Sequence, residues 1–227
     1  MTLSLSQKEY LDLMGIDVWV ARGSSASNEM QEMEVNEFPA SQTLNELKST
    51  VSTCTKCRLH AGRIQTVFGA GSHEADWMLI GEAPGAEEDK QGMPFVGRAG
   101  KLLTAMLASI GLDREKVFIA NILKCRPPNN RDPSADEVLA CDDYLKTQIK
   151  IIQPKMILAL GRIAAQNLLK SDVPIGKMRG KIYQYGEAEI PVVVTYHPAY
   201  LLRSPREKRK SWQDLQLAVQ LYKGTDN

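Results

Sequence analysis

The feature that most constrains this chain is a repeated alternation. Short apolar runs of strand length are separated by stretches with helical spacing. The runs are 76–81 (DWMLIG), 116–121 (KVFIAN), 155–160 (KMILAL) and 190–196 (IPVVVTY). Helical patterns fill 98–111, 134–152, 161–170 and 205–223. Runs apolar at nearly every position suit strands covered on both faces, and the helices between them supply the cover. The expected fold class is α/β: a three-layer α/β/α sandwich around a four-stranded parallel sheet. In such sheets ligands sit beyond the carboxyl ends of the strands. Three loops fall there: GEAPG at 81–85, NILKCRPP at 121–128 and HPAYLLR at 197–203.

The front of the chain differs. Residues 1–43 hold two basic and seven acidic side chains, a net of −5, so the rest carries +6 of the overall +1. Residues 4–14 can form a short amphipathic helix, and 1–22 reads as a helical N-terminal peptide. Residues 23–42 are polar, acidic and broken by Gly, Ser and Pro, the composition of a flexible linker. Thr43 with Glu46 makes a capping-box pattern that opens the main domain, 43–227. No apolar run reaches the length of about 20 residues needed to cross a bilayer. The N-terminus lacks the basic start and apolar core of a secretory signal, so a cytoplasmic location is expected. A basic body is compatible with a polyanionic partner.

The four cysteines fall into two pairs, Cys54 with Cys57 and Cys125 with Cys141. Four thiolates suit a Zn²⁺ ion or an iron–sulfur cluster, and buried free thiols are the simplest alternative. The irregular gap between Cys125 and Cys141 departs from the paired C-x-x-C of zinc ribbons and tilts the choice toward iron–sulfur. A redox C-x-x-C is disfavoured, because the motif does not open a helix after a strand. The stretch 97–101 (GRAGK) fails as a phosphate loop, since Phe95 and Leu102 stand where Gly and Ser or Thr are needed. Asn121 is a polar end to an apolar strand, either a cap or a base reader. His197 is a lone histidine after the last strand. Arg203, Arg206, Lys208, Arg209 and Lys210 surround a single acid, Glu207: a solvated face, or a grip on phosphates. Lys177, Arg179 and Lys181 form a smaller basic loop.

Taken together, these segments resemble the family 4 uracil-DNA glycosylases, from about residue 43 to 222. The resemblance is carried by C-T-K-C, V-F-G-A-G, GEAPGAEEDKQGMPFVGRAGKLL, NILKCRPPNNR, Cys141 and HPAYLLR. It implies a DNA-repair enzyme that flips deoxyuridine out of DNA and releases uracil. No lysine is placed to form a Schiff base, so a monofunctional enzyme that leaves an abasic site is expected, acting as a monomer. The resemblance implies a [4Fe–4S] cluster on Cys54, Cys57, Cys125 and Cys141. The implied substrate-binding residues are Glu82, Ala83, Pro84, Gly85, Phe95, Asn121 and His197. Of these, Asn121 would read the uracil edge and His197 would stabilise the departing base. Glu82 or Glu88 would act beside the sugar as the catalytic carboxylate. Lys101, Arg126, Arg179, Arg203 and Arg206 are the expected DNA contacts. Two departures from the family pattern are visible. Ala86 follows GEAPG where Glu is common, and Ala83 stands where the wider superfamily places a water-activating Asp. Residues 10–22 (YLDLMGIDVWVAR) are similar to the clamp-loader-binding peptide of the replicative polymerase psi subunit. That resemblance implies contact with a replication or repair protein through residues 1–22.

Overall fold

The computed structural model describes residues 43–225. The readings made for 1–22 and 23–42 lie outside the described residues. The domain opens with helix α1 (Leu44–Ser52), and its capping box forms as the sequence requires. The Thr43 amide donates to Glu46 at 2.8 Å, and the Glu46 amide donates to Thr43 Oγ1 at 3.3 Å.

The four expected strands are present as β2 (Trp77–Gly81), β3 (Phe118–Asn121), β4 (Met156–Leu160) and β6 (Ile190–Thr195), all parallel to one another. Two short strands extend this core to six. β1 (Ala70–Gly71) and β5 (Ile182–Tyr185) pair antiparallel at the two edges, giving the order β1-β3-β2-β4-β6-β5. The four-stranded parallel sheet is thus the centre of a six-stranded mixed one. β5 reaches its partner β6 through a tight turn, whereas β1 meets β3 only after β2 and two α-helices have intervened in the chain.

The remaining helices are α2 (Ala86–Gln91), α3 (Arg98–Ser109), α4 (Ala135–Ile152), α5 (Arg162–Leu168), α6 (Ile175–Met178), α7 (Pro198–Arg203) and α8 (Lys208–Thr225). They make the outer layers. On one face Met78, Ile80, Phe118, Ile157 and Val192 meet Leu47, Tyr144, Ile149 and Ala165 of α1, α4 and α5. On the other, Leu79, Ile119, Leu158 and Val193 meet Leu103, Leu107, Leu201 and Leu215 of α3, α7 and α8. Successive strand residues point to opposite faces, so each strand feeds both cores. Full burial of one such aliphatic side chain is worth about 1.5–3 kcal/mol. Among the described residues no helix is long and apolar enough to cross a membrane.

Candidate active site and cysteine cavity

The carboxyl ends of β2, β3 and β6 converge on a cavity of about 410 Å³. The loop after β2 contributes Glu82, Ala83, Pro84 and Gly85, and β3 contributes Asn121. The chain after β6 brings His197, Ala199, Tyr200 and Arg203. Phe95 closes the side between α2 and α3. All seven residues expected to bind substrate therefore line one pocket, with Glu88 and Arg203 beside them.

Asn121 is 2% exposed, and its side-chain Oδ1 has no hydrogen-bond partner in the protein. A buried orphan acceptor is costly unless a ligand completes it. Gly81 makes room for it: a Cβ there would lie 2.4 Å from Asn121 Oδ1 and 2.7 Å from the Phe95 ring. The main chain of Asn121 is held from below. Lys124, fully buried, donates from Nζ to the Asn121 carbonyl at 2.8 Å and to Gln148 Oε1 at 2.6 Å. Burial draws that ammonium down to about 8.

His197 caps α7. Its Nδ1 accepts from the Ala199 amide at 3.1 Å. That bond fixes the tautomer, leaving Nε2 to carry the proton as a donor. Burial, and then the nearby Arg203 guanidinium, push His197 down to about 4, so the ring is neutral at pH 7. Gly161 (φ +96°) passes directly behind it, where a Cβ would lie 2.8 Å from His197 Cβ. Phe95 is in the left-handed region, with φ +52°. An aromatic residue there is strained and must be held by its surroundings. Glu88 holds it: its Oε1 accepts from the Val96 and Gly97 amides at 3.0 and 3.2 Å.

The acids after GEAPG thus divide by role. Glu88 clamps the Phe95 loop with Oε1. Asp89, 2% exposed, accepts from the Ile64 amide at 3.0 Å and so ties that segment down. Glu87 pairs with Lys90 at the surface. Glu82 is half-buried, and burial, with Asp132 second, raises it to about 7 against the pull of Arg162.

The basic residues also divide. Arg203 lines the pocket and Arg206 is exposed nearby on the same segment. Lys101 is exposed on α3 and does not line the pocket. Arg179 is committed elsewhere, to Asp214 at 2.7 Å and to the face of Tyr196 at 4.5 Å. Arg126 donates from Nε to Asn130 at 2.7 Å. Sequence reasoning missed Asn130, Arg131 and Asp132, which complete the pocket wall. Asn129 and Asn130 both have positive φ, folding the loop back toward the pocket. The Pro-Pro-Asn-Asn run was the available signal. Glu137 staples the loop's far end. It is buried, accepts both Arg131 Nη groups at 2.8 and 2.6 Å, and is held down to about 2 chiefly by that pairing.

Cys54, Cys57, Cys125 and Cys141 line a second, enclosed cavity, together with Lys124, Arg63 and Tyr144. His60 lines it too, with its Nδ1 2.8 Å from the Cys57 carbonyl. Arg63 donates to Cys125 Sγ at 3.1 Å, and the Lys124 amide points to Cys141 Sγ at 3.4 Å. Burial pushes the Cys141 thiol up to about 12, so it holds its proton unless a metal displaces it. Among the described residues no three His, Cys, Asp or Glu side chains converge closely enough to hold a single metal ion.

This pocket sits on a sequence with known kin. The model of the Uracil DNA glycosylase superfamily matches residues 68–216. A type-4 uracil-DNA glycosylase of Archaeoglobus fulgidus is 46% identical over 180 residues, covering 76% of this chain and 90% of that protein. One of Pyrobaculum aerophilum is 44% identical over 178 residues, covering 76% and 91%. The type-5 enzyme of the same organism is only 30% identical over 150 residues, covering 58% and 64%. The chain belongs to the type-4 uracil-DNA glycosylases. For a member of this superfamily, the pocket stands where its sheet topology requires, at the strand ends.

Proposed function

We propose that the chain hydrolyses the N-glycosidic bond of deoxyuridine in DNA, releasing uracil and leaving an abasic site for base excision repair. The carrying observation is the unpartnered Asn121 Oδ1 beside a histidine locked as a neutral Nε2 donor. Uracil offers what both lack. Asn121 Oδ1 accepts from N3–H and its Nδ2 donates to O4, while His197 Nε2–H donates to O2. Cytosine reverses both groups at its edge and leaves Asn121 mispaired. Sites of this kind reject an analogue by roughly 10⁴–10⁵.

The reaction follows from these positions. The C1′–N1 bond breaks and its electron pair leaves with the base. His197 stabilises the charge on O2, a contribution of about 2.7–4 kcal/mol for one preorganised donor. Glu82, ionised, faces the cationic sugar and takes a proton from the water that adds to C1′. Phe95 stacks on the extruded ring. Arg203 and Arg206 hold flanking phosphates. Glu88 acts on the reaction through Phe95, by fixing its loop.

The cysteines fit a [4Fe–4S] cluster, because four thiols surround one enclosed cavity. Cys54, Cys57, Cys125 and Cys141 would hold it, and when bound it supplies a cross-link between the end of α1, the loop after β3 and α4. The enzyme works as a cytoplasmic monomer. Uracil release from a labelled oligonucleotide tests the activity: no release at micromolar enzyme defeats it.

Residues 1–22 recruit the domain to a replication or repair protein through the 23–42 tether. Deleting 1–42 leaves excision on short oligonucleotides unchanged and abolishes pull-down of clamp-loader subunits. Loss of basal excision on deletion defeats the tether reading.

A further inference from the structure

A second hollow lies beside the pocket. A cavity of about 270 Å³ opens between Arg58 and Leu59 on one side and Arg126, Pro127 and Pro128 on the other. Pro127 and Arg131 line this cavity and the uracil pocket alike, so the two adjoin. Its wall holds three arginines and no acid. The acids behind it are already shared. Glu137 takes Arg131 in two hydrogen bonds, and Arg58 Nε lies 3.5 Å from it. Exposed Asp136 also lies within electrostatic reach of Arg58. Arg58 is 71% exposed, with most of its donors free for an incoming acceptor. Arg126 spends Nε on a neutral amide, Asn130, which keeps its charge uncompensated. Leu59 and the two prolines add apolar surface suited to a deoxyribose.

The placement of these arginines has a definite origin. Arg58 follows Cys57, and Arg126 follows Cys125. The two cysteines turn into the enclosed thiol cavity, and their neighbours turn into this open one. Whatever joins the thiols therefore also constrains the main chain from which the two arginines project.

We propose that this cavity is a DNA subsite that takes the phosphodiester and sugar of a nucleotide flanking the uracil on the same strand, gripped by Arg58 and Arg126. The proposal rests on the uracil reading of the main pocket. A planar fork of donors facing a small apolar floor matches a phosphate joined to a sugar.

The test uses the full chain and single-stranded oligonucleotides with one uracil, lengthened one nucleotide at a time on each side. For the wild type, KM falls sharply when one particular flanking nucleotide is added. Arg58→Ala removes that step. On long substrate it raises KM about tenfold, as expected for one charge-assisted hydrogen bond. It also reduces the salt slope by about one. Arg58→Lys keeps most of the salt slope. A melting temperature equal to wild type shows that the variant folds. A wild-type KM and salt slope in both Arg58→Ala and the Arg58→Ala/Arg126→Ala double variant overturn the subsite. Anisotropy with a uracil-free oligonucleotide separates the two readings. If the wild type binds it yet releases no uracil from the uracil-containing oligonucleotides, and Arg58→Ala binds it about tenfold more weakly, the DNA subsite stands and the uracil reading alone falls.

Discussion

The imidazole of His197 lies against the ring of Phe95, with centroids 5.4 Å apart and planes 31° from parallel. Two side chains from elements far apart in sequence thus meet on one wall of the pocket. His197→Ala should lower the single-turnover excision rate by about 10²–10³ at pH 7.5, the usual loss for one preorganised donor. Its acid response is also specific. A histidine titrating at about 4 in the fold and at its ordinary 6.5 when unfolded binds more protons in the unfolded chain between those values. Stability therefore falls as pH drops from 6.5 to 4, and His197→Ala should lose less over that window in urea titrations. An equal loss in both proteins would show the ring is not buried neutral.

Glu82 should set the other pH limb. Raised to about 7, its carboxylate becomes charged only as pH climbs through neutrality. Single-turnover excision should rise between pH 6 and 8 and level off above. Glu82→Gln should be slow and flat across that range. A profile unchanged by the substitution removes Glu82 from the chemistry.

Asn121→Ala should lower excision by at least 10², with the fold kept, because it deletes the edge reader without touching the main-chain bond to Lys124. Asn121→Asp should tolerate cytosine better than the wild type does, since a protonated acid donates to cytosine N3 where the amide oxygen could only accept. Excision by Asn121→Ala within about threefold of wild type would sink the base-reading role.

The purified protein should be brown and carry about four irons per chain when fully loaded. Cys125→Ala should bleach it and lower its melting temperature. Colourless protein with one zinc per chain and full activity would refute the cluster.

The parallel centre of the sheet was legible because its strands are apolar on both faces. β5 was not, because its sequence IYQY alternates exposed and half-buried residues and lies at an edge. β1 is two residues long and defined only by its partner β3. Asn121 and His197 stood out as polar residues ending apolar strands. Lys124 did not: nothing in NILKCRPP marks a lysine that folds inward to hold the strand carrying Asn121. The acids 87–89 look alike in sequence, and only the fold separates surface Glu87 from buried Asp89 and the loop clamp Glu88. Asp132 reaches the pocket only because two asparagines reverse the chain before it.

Gly81 and Gly161 contribute no functional group, yet each leaves the space one does need. A single added methyl would press on Asn121 and the Phe95 ring at Gly81, and on His197 at Gly161. The pocket is thus a cast whose mould includes positions that never meet the substrate. The mutational target for silencing this enzyme is accordingly wider than its set of reacting side chains.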